Sequence, residues 1–379
     1  MKFIVYSHTA TFYGAPKSMI ELTNELVKLG HEIIYILPEK GLFDTELKNK
    51  GCEVFYMRNP IWVCAQRLKG YSKYYYLKHR IKLVFSFLKT LMFSYKQHKK
   101  FLKENKPDWV IINTSVAPIG LLAASACGLN TVLWVREPIL NKNGWLVPAI
   151  FPKFVLSAVF KLSSITIGPS EFIIEYFRNK FNINNGIKLF DPISTEIKNS
   201  SFVNSKKLDL SSIKFGLVGS LSYRKGQVDF VKEMLNQDEQ NKVYIFGNGS
   251  KGYQEKLEII ANDKPCRVFL MNFESDIEKI YQTFDVYINM GIDETFGRTT
   301  IEAMRYGKLV FGKRSGATPE LIKHGETGFL FDNVIEIFNI LNSNNRDYLS
   351  LIAHKGQIES SKYDPVIIAN EFMKIIHEY

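Results

Sequence analysis

DVYINMGIDETFGRTTIEAM, residues 285–304, joins a strand-like run to a helix-like one through a polar loop. Val286, Tyr287 and Ile288 have the β-branched and aromatic composition of a buried strand, which ends near Met290. From Gly297 or Arg298 the chain reads as a helix, continuing through Thr299, Thr300, Glu302, Ala303 and Met304. A strand handed to a helix in this way is half of a βαβ unit, whose ligands bind beyond the carboxyl ends of the strands. The helix start offers unpaired N–H groups at the positive end of the helix dipole. This turn is therefore a candidate phosphate site, with Gly297 allowing close approach of the backbone. Two carboxylates, Glu294 and Glu302, flank it eight positions apart. Glu302, one turn inside the helix, suits a diol such as that of a ribose, and Glu294 lies on the other side, facing a sugar or a leaving group.

Outward from this unit the same alternation runs along the chain. KFIVYS, EIIYIL, CEVFYM, DWVIIN, TVLWV and SITIG read as strands of a first unit, and IKFGLVG, KVYIFG, CRVFLM, DVYINM and KLVFGK as strands of a second. Helical patterns separate them. In YGAPKSMIELTNELVKLG, Pro16 suits a first helical position, Met19, Leu22, Leu26 and Leu29 make an apolar face, and Gly30 ends the helix. Such alternation predicts parallel sheets covered on both faces. At 379 residues the chain exceeds what a single core usually supports, and the polar stretch 194–212 has a linker's composition. The expectation is an α/β protein of two tandem Rossmann-like doubly wound domains, 1–198 and 199–360, with a C-terminal helix at 361–379 that is able to return to the first domain.

Composition narrows the environment. Cys52, Cys64, Cys127 and Cys266 lack C-x-x-C spacing, which argues against a zinc site or a disulfide framework and fits a reducing, cytoplasmic compartment. No stretch reads as a targeting segment or reaches the roughly 20 apolar residues of a membrane span. The net charge of +11 is concentrated in residues 66–106, which hold twelve Lys or Arg against one acid, with nine aromatic residues interleaved. Such a segment either lies on an anionic lipid surface or forms a long helix with a core face and a solvated face. Nucleic-acid binding is not expected, because no nucleic-acid-binding motif accompanies the charge.

Other strand ends carry candidate residues. In GLVGSLSYRKGQVDFV, residues 216–231, a strand ends at Gly219, and Arg224 and Lys225 precede Gly226 at a helix start. There they offer cations to a diphosphate or form a solvated pair. In SHTATFYGAPKS, residues 7–18, Gly14 leads into the first helix, with His8 close by. In VLWVREPIL, residues 132–140, Arg136 and Glu137 directly follow a strand, where they face a substrate or pair with each other. FGNGSKG, residues 246–252, satisfies G-x-G-x-x-G through Gly247, Gly249 and Gly252. It opens the second strand–helix step of its domain rather than the first, which counts against a dinucleotide-dependent oxidoreductase.

Taken in order, FGLVGSLSYRKG, YIFGNGSKGYQEKL, FLMNFESDIEKIYQTFDVYINMGIDETFGRTTIEAM and SGATPELIKHGETGFLF resemble the successive blocks of the retaining glycosyltransferases of family 4, over about residues 213–332. The first domain resembles the family more loosely, through the Gly14 loop and WVREP. The resemblance implies the GT-B fold, two Rossmann-like domains facing across a cleft. It implies that Glu302 holds the nucleotide ribose and that Glu294 is the catalytic-site carboxylate at the donor sugar. Phe296, Gly297, Arg298 and Thr299 match the turn whose backbone faces sugar and phosphates, Lys225 matches the lysine that neutralises the diphosphate, and Asn272 and Phe273 match the position that receives the base. Where the family often has an arginine after the strand-ending glycine, this chain has Ser220, with Arg224 as the nearest substitute. Where many members carry a histidine near the donor sugar, it has Arg136, which with Glu137 and His8 falls on the acceptor or sugar side.

No D-x-D motif occurs, so neither a metal ion nor a cofactor is expected; cationic side chains and helix N-termini stabilise the leaving diphosphate instead. The expected activity is a retaining, metal-independent transfer of a sugar from a nucleotide-sugar donor, UDP favoured, to a glycan or lipid-linked acceptor. Its setting is cell-surface polysaccharide or glycolipid assembly, with peripheral contact on the inner face of the membrane through residues 66–106. The alternative is a non-catalytic partner subunit that keeps the fold and binds a sugar or a protein.

Overall fold

The computed structural model describes residues 1–11, 14–65, 73–140, 146–148, 151–194, 210–237, 240–271, 274 and 276–379. The chain divides into two units, Met1–Pro192 with Pro365–Tyr379, and Ile193–Asp364. Composition had suggested divisions at 198/199, which lies outside the described residues, and at 360/361.

Strands of the first unit are β1 (Lys2–Tyr6), β2 (Glu32–Leu37), β3 (Glu53–Tyr56), β4 (Val63–Ala65), β5 (Trp109–Ile112), β6 (Asn130–Trp134), β7 (Leu146–Pro148), β8 (Ile165–Gly168) and β9 (Gly186–Lys188). Seven of these form a parallel sheet in the order β3-β2-β1-β5-β6-β8-β9, while β4 and β7 pair antiparallel on their own. Its helices are α1 (Ala15–Lys28), α2 (Leu42–Asn49), α3 (Lys73–Asn105), α4 (Ile119–Ser125), α5 (Lys153–Phe160) and α6 (Glu171–Phe181). Alternate residues of one strand feed two cores, as the pleat requires: Ile4 and Tyr6 join one cluster, Phe3 and Val5 the other. With both faces covered, the central strands have no polar side to show, which is why they read as unbroken apolar runs. On α1, Met19, Leu22 and Leu26 are fully buried, but Leu29 is half-exposed. The helix has already ended at Lys28, which makes Leu29 its cap and takes it off the apolar face.

In the second unit β10 (Lys214–Val218), β11 (Lys242–Phe246), β12 (Val268–Met271), β13 (Val286–Asn289), β14 (Leu309–Lys313) and β15 (Phe329–Phe331) form a parallel sheet in the order β12-β11-β10-β13-β14-β15. Its helices are α7 (Gln227–Gln237), α8 (Lys251–Asp263), α9 (Ile277–Gln282), α10 (Arg298–Arg305), α11 (Thr318–Leu321), α12 (Ile335–Ser343) and α13 (Arg346–Glu359). Phe215, Leu217, Val243, Ile245, Ile288 and Phe311 contribute to the core of this unit. Gly216 in β10 is a packing requirement, since a Cβ there would lie 2.2 Å from the ring of Phe284. In each sheet the first strand lies between the second and a later one, so the order reverses between β1 and β5 and again between β10 and β13. Such reversals open a crevice at the carboxyl ends of the two strands.

The last helix, α14 (Pro365–Glu378), belongs to the first unit. Ile368, Phe372 and Ile376 are buried in one of that unit's two cores, and Phe372 stacks on Trp134 and packs against Phe3.

Candidate functional site

Two loops meet at the strand reversal of the second unit. The one leaving β10 passes through Gly219 and the exposed Ser220, makes a single 3-10 turn at Tyr223–Lys225, and enters α7. The one leaving β13 carries Glu294 and ends at the start of α10. The backbone N–H of Ile292 donates to the carbonyl of Arg224 at 2.9 Å, tying the loops together. Across this seam the Lys225 ammonium donates to Glu294 Oε2 at 2.6 Å, with the two side chains only 20% and 12% exposed.

Burial raises the pKa of the Glu294 carboxyl, but the charge and hydrogen bond of Lys225, with the charge of Arg224, outweigh it and hold the group below its ordinary value. Glu294 is thus an ionised carboxylate at neutral pH. Its backbone is fixed as well. The Ala317 N–H donates to the Glu294 carbonyl at 2.7 Å, and Gly316, at φ +58°, passes so close that a Cβ would lie 2.4 Å from that carbonyl oxygen.

Gly297 is the N-cap of α10 at φ +99°, a left-handed conformation that glycine adopts without cost. The N–H of Thr300 returns to its carbonyl at 2.9 Å. The hydroxyls of Thr299 and Thr300 are both drawn back onto β13: Thr299 pairs with the Tyr287 hydroxyl at 2.6 Å, and Thr300 accepts from Asn289 Nδ2 at 3.0 Å. Phe296 is buried and packs edge-on against Tyr363. This turn therefore offers its backbone, rather than the side chains of Phe296 or Thr300, to a ligand.

Glu302, buried one turn into α10, is held from two sides. Arg298 Nε donates to Oε1 at 2.9 Å, and the Tyr281 hydroxyl donates to Oε2 at 3.0 Å while also lying 3.1 Å from the Thr299 carbonyl. Burial first, and the Glu302 charge second, push the Tyr281 pKa well above its ordinary value, so the phenol remains a donor. Asn272 and Phe273 lie outside the described residues. Among the described residues no group of three His, Cys, Asp or Glu is arranged to hold a metal ion.

Residues 199–339 match the family model of glycosyl transferases group 1. The match lies within the second unit and spans the loops after β10 and β13. A glycogen synthase of Thermodesulfovibrio yellowstonii is 30% identical over 117 residues, covering 30% of this chain and 24% of the relative. The N-acetyl-alpha-D-glucosaminyl L-malate synthase of Bacillus anthracis is 33% identical over 90 residues, covering 24% and 23%. The chain thus spans about a quarter of the length of the curated relatives it matches. The crystal structure of Anabaena HepE in complex with UDP-glucose is similar over 100% of both chains, with a TM-score of 0.76 at 20% identity. That likeness establishes the fold, the GT-B arrangement of two Rossmann-like domains.

The candidates of the first unit cluster at its own strand reversal. Gly14, at φ +56°, caps α1. Asn113, just after β5, donates through Nδ2 to the Ala15 carbonyl at 3.3 Å and accepts from Arg136 Nε at 2.9 Å. Arg136 does not pair with Glu137. Its guanidinium forms a buried ion pair with Asp191 and lies over the Trp134 ring, while Glu137 accepts from the Ser115 hydroxyl at 3.2 Å. His8 Nδ1 is buried without a hydrogen-bond partner, as are Arg136 Nη2 and Asp191 Oδ1.

Tyr281, Asn289 and Asp191 escaped the sequence reading. Tyr281 occupies a core-like position in a short helix, and nothing local to it reports where its hydroxyl points. Asn289 had a usable signal, an amide in the last position of an otherwise apolar strand.

Proposed function

We propose that the protein is a nucleotide-sugar-dependent glycosyltransferase whose donor binds at the β10–β13 reversal of the second unit. The Lys225–Glu294 pair across the two loops, beside the start of α10, carries this reading. A departing diphosphate needs positive charge, and Lys225, the adjacent Arg224 and the backbone N–H groups at the head of α10 supply it without a metal ion. Without donor, Glu294 neutralises Lys225; with donor, phosphate takes the lysine and Glu294 turns to the sugar hydroxyls. Glu302, oriented by Tyr281 and Arg298, receives the ribose diol. UDP is the favoured nucleotide, in keeping with the UDP-glucose held by Anabaena HepE.

The transfer proceeds with retention: the acceptor hydroxyl attacks on the face the diphosphate leaves, a leaving-group oxygen takes its proton, and no protein nucleophile forms a bond. The acceptor is a glycan or a lipid-linked glycan in cell-surface polysaccharide or glycolipid assembly, met by a cytoplasmic enzyme in peripheral contact with the inner membrane face. No helix among the described residues is long and apolar enough to cross a membrane.

Thermal stabilisation by a panel of nucleotide sugars identifies the donor, because a bound ligand raises stability with the logarithm of its excess. Glu302→Gln is expected to weaken donor affinity, whereas Glu294→Gln is expected to abolish turnover with affinity largely kept. Equal loss of affinity alone in both refutes the division of labour. Ser220, where the family often has arginine, and Arg136, where many members have histidine, favour a second reading as a non-catalytic binding partner. Donor binding without transfer or hydrolysis under any acceptor would establish it.

A further inference from the structure

We propose that the outward face of α3 is a docking surface for anionic lipid headgroups. The proposal gives the peripheral contact a definite set of side chains; it rests on the transferase reading for its purpose and not for its geometry.

One face of α3 is anchored. Phe87, Ser94, His98 and Leu102 are buried, the Tyr6 hydroxyl meets His98 Nδ1 at 3.1 Å, His98 Nε2 meets the Arg58 carbonyl at 3.0 Å, and Trp62 stacks on Phe87. Leu91, partly buried against the same core, completes the series. Steps of three and four along this series keep it on one side of the helix.

A second apolar series on the same helix is exposed. Leu77, Ile81, Phe85, Leu88 and Met92 follow one another at steps of 4, 4, 3 and 4, and all are exposed, from 40% at Ile81 to 72% at Met92. At 1.5 Å per residue the stripe runs for about 22 Å. Scattered exposed apolar residues are ordinary, but a continuous stripe of this length marks a contact surface.

Charge identifies the occupant. Residues 73–105 hold nine Lys or Arg against Glu104 alone. Lys78, Lys82, Lys89, Lys96, Lys100 and Lys103 are exposed, and at 100° per residue they form a row about 70° round the helix from the apolar stripe, opposite the anchored face. Near the end of the row, Tyr95, Lys96, Lys99, Lys100, Lys103 and Glu104 line an open hollow, with the Lys99 ammonium 5.6 Å from the centre of the Tyr95 ring. Phosphates meet the lysine row and the hollow while the stripe enters the boundary of the acyl chains, as in an interfacial amphipathic helix. A second copy would set one basic helix against another. A nucleic acid would leave the apolar stripe unused.

Flotation with vesicles of phosphatidylcholine containing phosphatidylglycerol tests this on the full chain, with pure phosphatidylcholine vesicles alongside. Binding is expected only to the anionic vesicles and is expected to fall with added salt. Each lysine near the surface is worth roughly fivefold in partitioning, so Lys82→Gln/Lys89→Gln/Lys96→Gln should bind about a hundredfold more weakly. Phe85→Gln/Met92→Gln, at two exposed positions where folding is not at stake, should also lose vesicle binding. No flotation of the unaltered protein, flotation unchanged in both variants, or a dimer that both variants dissociate in sedimentation overturns the proposal. Stabilisation by UDP, measured on the same samples, is expected to be unchanged in both variants. Its absence from the unaltered protein would count against the transferase reading and leave the vesicle result standing.

Discussion

Replacing Lys225 with Met removes the ammonium hydrogen-bonded to Glu294 and leaves a carboxylate that is 12% exposed. At 2.6 Å and an effective dielectric of 20, the attraction lost is about 6 kcal/mol. Desolvation of both groups has already cancelled part of that in the native protein, and removing one partner of a buried pair costs about 3–5 kcal/mol. Because both side chains keep some contact with solvent, about 3 kcal/mol is expected. For a unit of this size that corresponds to a melting temperature lower by about 6–12 °C. Adding Glu294→Gln removes the stranded charge, so the double variant should return to within about 1 kcal/mol of the parent. The pH dependence has a definite sign. Glu294 titrates below its ordinary value in the native protein, so the pair contributes fully above the unfolded-state pKa and is lost as pH falls through the lowered one. The gap between parent and Lys225→Met is therefore widest at neutral pH and closes on acidification. Calorimetric melts of parent, single and double variants between pH 7 and pH 3 make the measurement. A single variant as stable as the parent at pH 7, or a double variant no better than the single, refutes the reasoning.

Tyr281→Phe deletes the donor to Glu302 Oε2 and leaves Arg298 in place, so UDP binding should weaken about five- to tenfold by titration calorimetry, with the maximal rate little changed. Arg136→Met strands Asp191 in a buried site and should cost about 3–4 kcal/mol in thermal stability, most of it restored by adding Asp191→Asn. Gly216→Ala drives a methyl group into the Phe284 ring and should lower the urea midpoint of the second unit by the equivalent of about 2–3 kcal/mol. Chelation with EDTA should leave sugar transfer unchanged; loss of transfer, restored by a divalent ion, would exclude the metal-independent mechanism.

What could be read in advance depended on how local the cause was. KFIVY and WVII announce strands because a doubly covered parallel sheet imposes apolar side chains on both faces. Gly297 announces a helix start because its left-handed backbone conformation suits glycine. By contrast, Lys225 and Glu294 stand 69 positions apart, and they meet because β13 enters the sheet beside β10 with β11 and β12 on the far side. No local pattern encodes that order. Arg136 and Asp191, 55 positions apart, are the same case; the neighbour in sequence, Glu137, was the natural partner to expect and turns to Ser115 instead. Tyr281 is harder again, since its aromatic ring satisfies a core pattern by itself, and its hydroxyl acquires a role only through the packing of α9 beside α10.

The return of α14 to the first unit bears on how the protein is made. Phe3 and Trp134 emerge early from the ribosome, yet Phe372, which covers both, follows only after the whole of the second unit. At 5–20 residues per second, translating the intervening 170 or so residues takes roughly 10–35 s. Throughout that interval the nascent first unit presents an open apolar face around α1, where Ile368, Phe372 and Ile376 will later lie. A chain ending before residue 365 would therefore hold every residue of the second unit and leave this face of the first uncovered.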